Sequence, residues 1–386
     1  MLDAAYDFAV IGAGVFGSWT AWHLHRAAKS VLLVDAWGPG HGRSSSGGET
    51  RVIRMGYGSD DIYTRMAVRS LAAWRDLMER TGQPLFRRTG VLWMARADDP
   101  YSTSTRVTLD KSGVQTEILE PADLAGRYPQ MRVADPRTYA IFEPHSGALM
   151  ARRAVAAVVE EAAREGMAYA LEAVAPVSAS GPRASVRTAS GQEIRAGVFV
   201  FACGPWLPKL FPGLLGGRIF PTRQEVYFFA PPPGDRRFAP SHLPIWIDFT
   251  DPRGPYGFPD LENRGVKLAF DRHGPAFDPD TGDRRLSSDG LADARRFLAE
   301  RFPALAGAPL VESRVCQYEN TSSGDFLIDR HPEPENVWLV GGGSGHGFKH
   351  GPAVGEWTAA RILHGATVEP RFSLAAKGLT QERAVY

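Results

Sequence analysis

Residues 7–27 read DFAVIGAGVFGSWTAWHLHRA and carry three glycines, Gly12, Gly14 and Gly17, in the spacing GxGxxG. The apolar run 8–12 predicts a strand, the glycines a tight turn, and Val15, Trp19, Trp22 and Leu24, at helical spacing, the inner face of a helix. SVLLVDAW (30–37) follows as a second continuous apolar run ending at Asp35, which completes a strand, helix, strand unit of a buried parallel sheet. In that setting the glycines permit close backbone approach and the helix N-terminus offers N–H groups to a pyrophosphate. Asp35, roughly 20 residues on, can accept hydrogen bonds from ribose hydroxyls. The unit predicts a bound dinucleotide without choosing between NAD and FAD.

The far end of the chain helps to choose. NVWLVGGGSGHGFKHGPAVGEWTAARILHG (336–365) repeats the order strand, glycine loop, helix, so both chain ends are expected in one domain. A single NAD needs one pyrophosphate cradle, whereas a flavin ring needs a second polarised anchor, and two glycine-rich entries favour FAD. A helix starting after Lys349 would direct positive potential at the flavin edge where negative charge develops on reduction. A glycine loop that only caps a helix is the alternative reading.

A chain of 386 residues exceeds what one core usually manages, and about two domains are expected. With 44 Lys and Arg against 43 Asp and Glu, no general attraction to nucleic acid or to an anionic membrane is encoded, so the partner is expected to be a small molecule. Cys203 and Cys316 are the only cysteines, too few for a disulfide framework and without zinc-site spacing, so no metal is expected. The start shows no basic segment or cleavage site, and no apolar run approaches the ~20 residues of a membrane span. The expectation is a cytoplasmic protein, monomeric or a small homo-oligomer.

Between the two glycine entries, PGHGRSSSGGETRVIR (39–54) is too rich in Gly and Ser for a regular element and reads as a ligand-facing loop. A helix is predicted over 61–79, from Ile62, Met66, Leu71, Trp74 and Met78, with Gly82 and Pro84 as its stop. Another is predicted over 151–165, then alternating segments over 184–195 and the buried strand GVFVFACG (197–204). From 218 to 318 the β-type runs RQEVYFF (223–229) and GVKLAFD (265–271) are separated by proline-rich turns, with one helix near 291–301, which predicts a mostly antiparallel second domain. In VESRVCQYENTSSGDFLID (311–329), Cys316 stands near the predicted end of a strand. The expected division is an FAD-binding domain of residues 1–85, 145–215 and 325–386 and a substrate domain of 86–144 and 216–324.

Six segments, in this order, carry a resemblance: GAGVFGS (12–18), GETRVIRMGYG (48–58), IFEPHSGAL (141–149), YGFPDLENRGVKLAF (256–270), CQYENTSSGDFLIDRHPE (316–333) and GSGHGFKHGPAVGE (343–356). Over essentially its whole length the chain resembles the monomeric sarcosine oxidase and N-methyltryptophan oxidase family of FAD-dependent amine oxidases. The resemblance implies an α/β (α+β) fold, with a Rossmann-type FAD domain of the p-hydroxybenzoate-hydroxylase-like kind joined to a mostly antiparallel β-sheet substrate domain. It also implies oxidation of the C–N bond of a secondary amine or an N-substituted or cyclic amino acid to an imine that hydrolyses, with O2 reduced to H2O2. A same-fold amino-acid dehydrogenase that passes electrons to a protein or quinone, and a non-catalytic flavoprotein subunit, are the alternatives.

Residue by residue, the resemblance makes Cys316 the covalent anchor of the flavin, Lys267 the lysine that assists oxygen reduction, and Arg51 and His346 groups beside the flavin ring. It places Arg54 and Lys349 on the substrate carboxylate and has Tyr256 and Tyr318 line the substrate cavity. Gly12, Gly14, Gly17, Asp35, Ser45, Ser46, Gly345, Gly347, Phe348 and Lys349 are the remaining expected cofactor contacts. Two departures stand out. Asp271 replaces a family histidine and is expected to face a cationic or hydroxyl-bearing part of the substrate, and Glu319 with Asn320 replaces a Thr-containing segment. By themselves, Cys316 reads as a buried free thiol, Lys267 as an outward solvated residue, the arginines as loop cations, His346 as a hydrogen-bonded loop residue and the tyrosines as core packing.

Overall fold

A computed structural model describes residues 4–177, 185–367 and 369–382; residues 1–3 and Ala184 of the predicted alternating segment lie outside them. β1 (Ala5–Ile11), α1 (Val15–Arg26) and β2 (Val31–Asp35) form the predicted unit. β1 starts earlier than predicted and stops at Ile11, because Gly12 takes φ 102°, a conformation that cannot continue a strand. β1 lies parallel between β2 and Glu193–Phe201, and Glu193–Phe201 lies parallel to Val337–Gly341. Leu327–Arg330 and Ala168–Leu171 close the two edges of this sheet, and Val186–Arg187 pairs onto Glu193–Phe201. Both chain ends thus share one sheet, as the repeated glycine pattern predicts. At their carboxyl ends the three adjacent strands Val337–Gly341, Glu193–Phe201 and β1 run into the glycine turns at Gly342, Gly204 and Gly12. In an open parallel sheet this edge is where a ligand crevice forms.

A second sheet has eight strands in the order Leu310–Thr321, Ile219–Phe229, Val266–Phe270, Pro255–Phe258, Ile245–Asp248, Val91–Arg96, Thr138–Glu143, Glu117–Leu119. Every neighbour pair is antiparallel apart from Ile245–Asp248 with Val91–Arg96. Trp246, Phe297 and Phe302 pack together beneath it with Leu268, all buried. Residues 86–144 received no element assignment from sequence; they add the helices Pro100–Lys111 and Pro121–Arg127. The first is capped by Asp99, whose side chain accepts from the Ser102 N–H at 2.7 Å, with Pro100 in the first turn where its missing N–H costs nothing.

Three expectations need correction. The loop 39–54 is not irregular throughout, since Arg51–Ile53 forms a strand against Gly147–Leu149, which also pairs Phe86–Arg87. β-branched Val52 and Ile53 and the full burial of Ile53 outweigh the surrounding Gly and Ser. The strand carrying Cys316 does not end there; it pairs with Ile219–Phe229 as far as Thr321, with Cys316 opposite Gln224. The helix predicted near 291–301 starts earlier, at Ser288, where the Ser287 hydroxyl accepts from the Gly290 N–H at 3.1 Å. The helix Asp61–Thr81 ends as predicted, at Gly82 with φ 65°. Among the described residues, no helix is long and apolar enough to cross a membrane, and no cluster of His, Cys, Asp and Glu is arranged to hold a metal.

Candidate active site

The crevice at the carboxyl edge of the parallel sheet is lined by Gly12, Gly14, Asp35, Ser45, Ser46, Cys316, Gly345, Gly347 and Phe348. Its glycines serve different ends. A Cβ on Gly12 would fall 2.5 Å from the Ala202 carbonyl oxygen, and one on Gly17 only 1.8 Å from that of Gly12, so these two allow strand, turn and helix to pack. Gly17 itself does not line the crevice. At Gly14, by contrast, a Cβ would meet nothing nearer than Ser46 Oγ at 3.6 Å. The chain leaves that space open, which fits a pyrophosphate approaching the turn.

α1 has no acidic residue in its first turn and its N-cap, Gly14, has no side chain to cap it, so its positive end faces the crevice. The Ser46 hydroxyl accepts the Val15 N–H at 3.1 Å. Asp35 Oδ2 accepts from Ala13 at 2.7 Å and Oδ1 from Trp37 and Gly38, both at 2.8 Å. Its carboxylate is fixed by backbone and retains a lone pair, on Oδ2, for a ribose hydroxyl.

A second cavity adjoins the first, and Arg51, Tyr318, Gly345 and Phe348 line both. Arg51 Nη2 lies 2.6 Å from the Ser45 carbonyl and 3.4 Å from Cys316 Sγ. The cation beside the thiol is therefore Arg51; Arg314, its neighbour in sequence, turns its guanidinium to the carbonyls of Gly42 and Gly47. Lys267 faces this second cavity, buried, with Nζ 2.8 Å from the Thr50 carbonyl and 3.0 Å from its hydroxyl. Burial first, then Arg51, pulls its ammonium well below the ordinary lysine range.

Arg54 and Lys349 meet in the same cavity from opposite ends of the chain, 5% and 2% exposed. The Arg54 guanidinium lies 4.4 Å from the Tyr57 ring centre and 4.5 Å from that of Trp93 and donates to the Gly56 carbonyl. Lys349 Nζ donates to Tyr57 Oη at 2.8 Å and to the His346 carbonyl at 2.9 Å; burial, then Arg54, pulls its pKa well down. Among the described residues neither cation has a carboxylate partner. The carboxylate that orders this region, buried Glu143, is used by the N–H groups of Met55 and Gly56 and by Trp93.

Tyr318 donates to Asp271 at 2.9 Å and hydrogen-bonds Tyr256. Burial raises both phenols, Tyr256 to about 12. Asp271 and both tyrosines line the second cavity, as does His346, whose Nδ1 lies 3.3 Å from Tyr57 Oη and whose Nε2 lies 3.1 Å from the Gly324 carbonyl.

A family profile described as FAD dependent oxidoreductase matches residues 7–361. The chain belongs to that family. The monomeric sarcosine oxidase of a Bacillus species is 33% identical to this oxidoreductase over 378 residues, covering 95% of this chain and 94% of that protein. The N-methyl-L-tryptophan oxidase of Citrobacter koseri is 31% identical, with 96% and 97% covered. Two solved structures share its fold: L-proline dehydrogenase from P. horikoshii, with TM-score 0.82, 22% identity and coverage of 96% and 97%, and NikD, with TM-score 0.78, 22% identity and coverage of 95% and 96%. FAD is the cofactor of this family, and the crevice fits it.

The oxidoreductase also uses residues that sequence reasoning passed over. Thr50 holds Lys267, and Tyr57 joins Lys349 to His346 and, at 2.7 Å, to His350. Their signal was slight, a few polar residues among apolar ones in segments already marked by resemblance. Glu319, noted only as a departure, lines the cofactor crevice. Its Oε1 accepts the Gly343 N–H at 3.1 Å, its Oε2 has no hydrogen-bond partner among the described residues, and burial raises its pKa to about 7.

Proposed function

We propose that this enzyme oxidises the C–N bond of a carboxylate-bearing secondary amine or N-substituted or cyclic amino acid, giving an imine that hydrolyses, with O2 reduced to H2O2. The observation that carries this reading is the pair Arg54 and Lys349, two buried cations with which no carboxylate among the described residues forms an ion pair, Asp271 and Glu143 acting on Lys349 only from further off. Such an arrangement is costly unless a ligand supplies the anion, and Arg can grip it bidentately beside the lysine point charge. The oxidase names of the most similar relatives, which cover nearly the whole chain, agree with it.

When bound, FAD supplies the two-electron acceptor. The chain's residues then divide the remaining work. Arg54 and Lys349 hold the carboxylate and turn the amine toward the cavity boundary that Arg51, Tyr318, Gly345 and Phe348 share. Tyr256, Tyr318 and Asp271 face the rest of the substrate, where Asp271 favours a cationic or hydroxyl-bearing group over a purely apolar one. His346, tied to Tyr57, is placed to tune protonation of the bound amine. Lys267, opposite Thr50, carries a proton it holds less tightly than a solvated lysine does, and so can donate it as oxygen is reduced. This role favours an oxidase over a dehydrogenase. In the same reading, residues 1–85, 145–215 and 325–386 form the cofactor domain and 86–144 and 216–324 the substrate domain. Both cysteines are free, in keeping with a cytoplasmic setting.

Anaerobic mixing of the yellow protein with N-methyl, cyclic and N-alkylated amino acids tests the reading: bleaching by a carboxylate-bearing member is expected, and a flavin that stays oxidised with all of them would refute it. Cys316, beside Arg51 at the crevice wall, is the proposed covalent anchor. Acid precipitation is expected to leave the colour in the protein pellet, and Cys316→Ser to release it to the supernatant; colour in the wild-type supernatant would make Cys316 a plain buried thiol.

A further inference from the structure

We propose that Glu319 contacts the bound cofactor as a neutral carboxylic acid, so that FAD binding holds one proton on the protein. The inference concerns the cofactor crevice and is independent of which amine is oxidised. Glu319 is 8% exposed and lines that crevice. Its carboxyl sits among the strand-end turns: a Cβ on Gly204 would come within 3.4 Å of Oε2, one on Gly341 within 3.5 Å of Oε2, and one on Gly343 within 3.3 Å of Oε1. Among the described residues the Gly343 N–H satisfies Oε1 and Oε2, buried, has no hydrogen-bond partner, while the Gly342 backbone, with that of Gly343, opposes part of the effect of burial on the carboxyl. A buried carboxyl oxygen without a partner is uncommon unless a ligand completes it.

The titratable groups of the packed elements and the crevice wall are Tyr318 on the same strand, Cys203 after Glu193–Phe201, Asp35 at the end of β2, His346 in the loop after Val337–Gly341, and His41, Arg51, Glu172 and Asp280 on the crevice wall. Among the described residues none forms an ion pair with Glu319, so no cation offsets a carboxylate there. Burial already raises the group to about 7. The cofactor's pyrophosphate brings further negative charge into the crevice, which disfavours ionisation more. As the acid, Glu319 donates O–H to a cofactor oxygen and accepts at Oε1, so that both oxygens are used.

The sign follows from linkage. Without FAD the group loses its proton as pH rises through about 7; with FAD it keeps it. The dissociation constant therefore rises about tenfold per pH unit above that point. The experiment uses Cys316→Ser holoenzyme, in which the thioether cannot form, and reads FAD released on dilution by its fluorescence. Between pH 7 and 9 the constant is expected to rise roughly fiftyfold, and in Cys316→Ser/Glu319→Gln, or with Glu319→Thr as the second change, to stay nearly flat. The same slope with and without Glu319 would overturn the proposal. Should both double variants fail to fold, infrared spectra of unsubstituted holoenzyme at pH 8 decide: a protonated-carboxyl C=O band is expected, and its absence refutes the assignment.

Discussion

Arg54→Met lowers kcat/KM for a carboxylate-bearing substrate by roughly a hundredfold or more, since breaking a buried charge pair costs about 3 kcal/mol or above. The loss falls mainly on KM, because the carboxylate is gripped in ground and transition states alike. The decarboxylated analogue of the same amine loses little. The contrast follows from geometry: the guanidinium is clamped 4.4 and 4.5 Å from the centres of two aromatic rings, so its charge is already in place before substrate arrives. Lys349→Met gives a loss of similar kind, and the double variant loses less than the sum of the two, since both cations serve one anion. Steady-state kinetics on the paired substrates checks this, and equal losses for both substrates would remove Arg54 from carboxylate recognition.

Lys267→Met slows flavin reoxidation by O2 by about 10²–10³, the scale of removing one preorganised charge or donor, while reduction by substrate changes only a few-fold. The pH dependence has a definite sign. Burial and Arg51 pull the Lys267 pKa well below that of a solvated lysine, so the protonated fraction declines at pH values where an exposed lysine is still fully charged. Wild-type reoxidation therefore slows as pH rises through that lowered value, and the variant lacks this limb. Stopped-flow measurement of the two half-reactions tests it; equal slowing of both would place Lys267 in substrate binding instead.

The legible and illegible parts of the site divide along a physical line. GxGxxG, the strand before it and Asp35 could be read because what they require is local: a backbone that turns at Gly12, a helix end at Val15 and a carboxylate at the next strand's end. The helix over 61–79 was equally plain, since Ile62, Met66, Leu71 and Trp74 repeat at its period and all are buried. The strand Arg51–Ile53 was hidden by its glycine- and serine-rich neighbours, and its existence rests on pairing with residues nearly a hundred positions away. Residues 86–144 show no elements in the sequence, because their short strands are defined by pairing with other strands, Phe86–Arg87 against Gly147–Leu149 and the rest within the second sheet.

For the functional side chains, residue type could be read and direction could not. Resemblance supplied Lys267, Arg54, Lys349 and Cys316, but alternation along Val266–Phe270 says nothing of which face meets the cavity when both faces are buried. That Arg51, not Arg314, stands beside Cys316 depends on two loop carbonyls, at Gly42 and Gly47, that capture Arg314. That Glu319 keeps one oxygen without a partner among the described residues depends on glycines at two separate strand ends, Gly204 on one and Gly341 and Gly343 on the other, converging on its carboxyl. By itself, then, the sequence determined the dinucleotide cradle, the two-part architecture and the family segments, all of which are written in short-range spacing. Tertiary structure alone decided which charges lie buried, which of them lack partners and which face one another across the joined cavities, because burial and pairing are properties of residues brought together from distant parts of the chain.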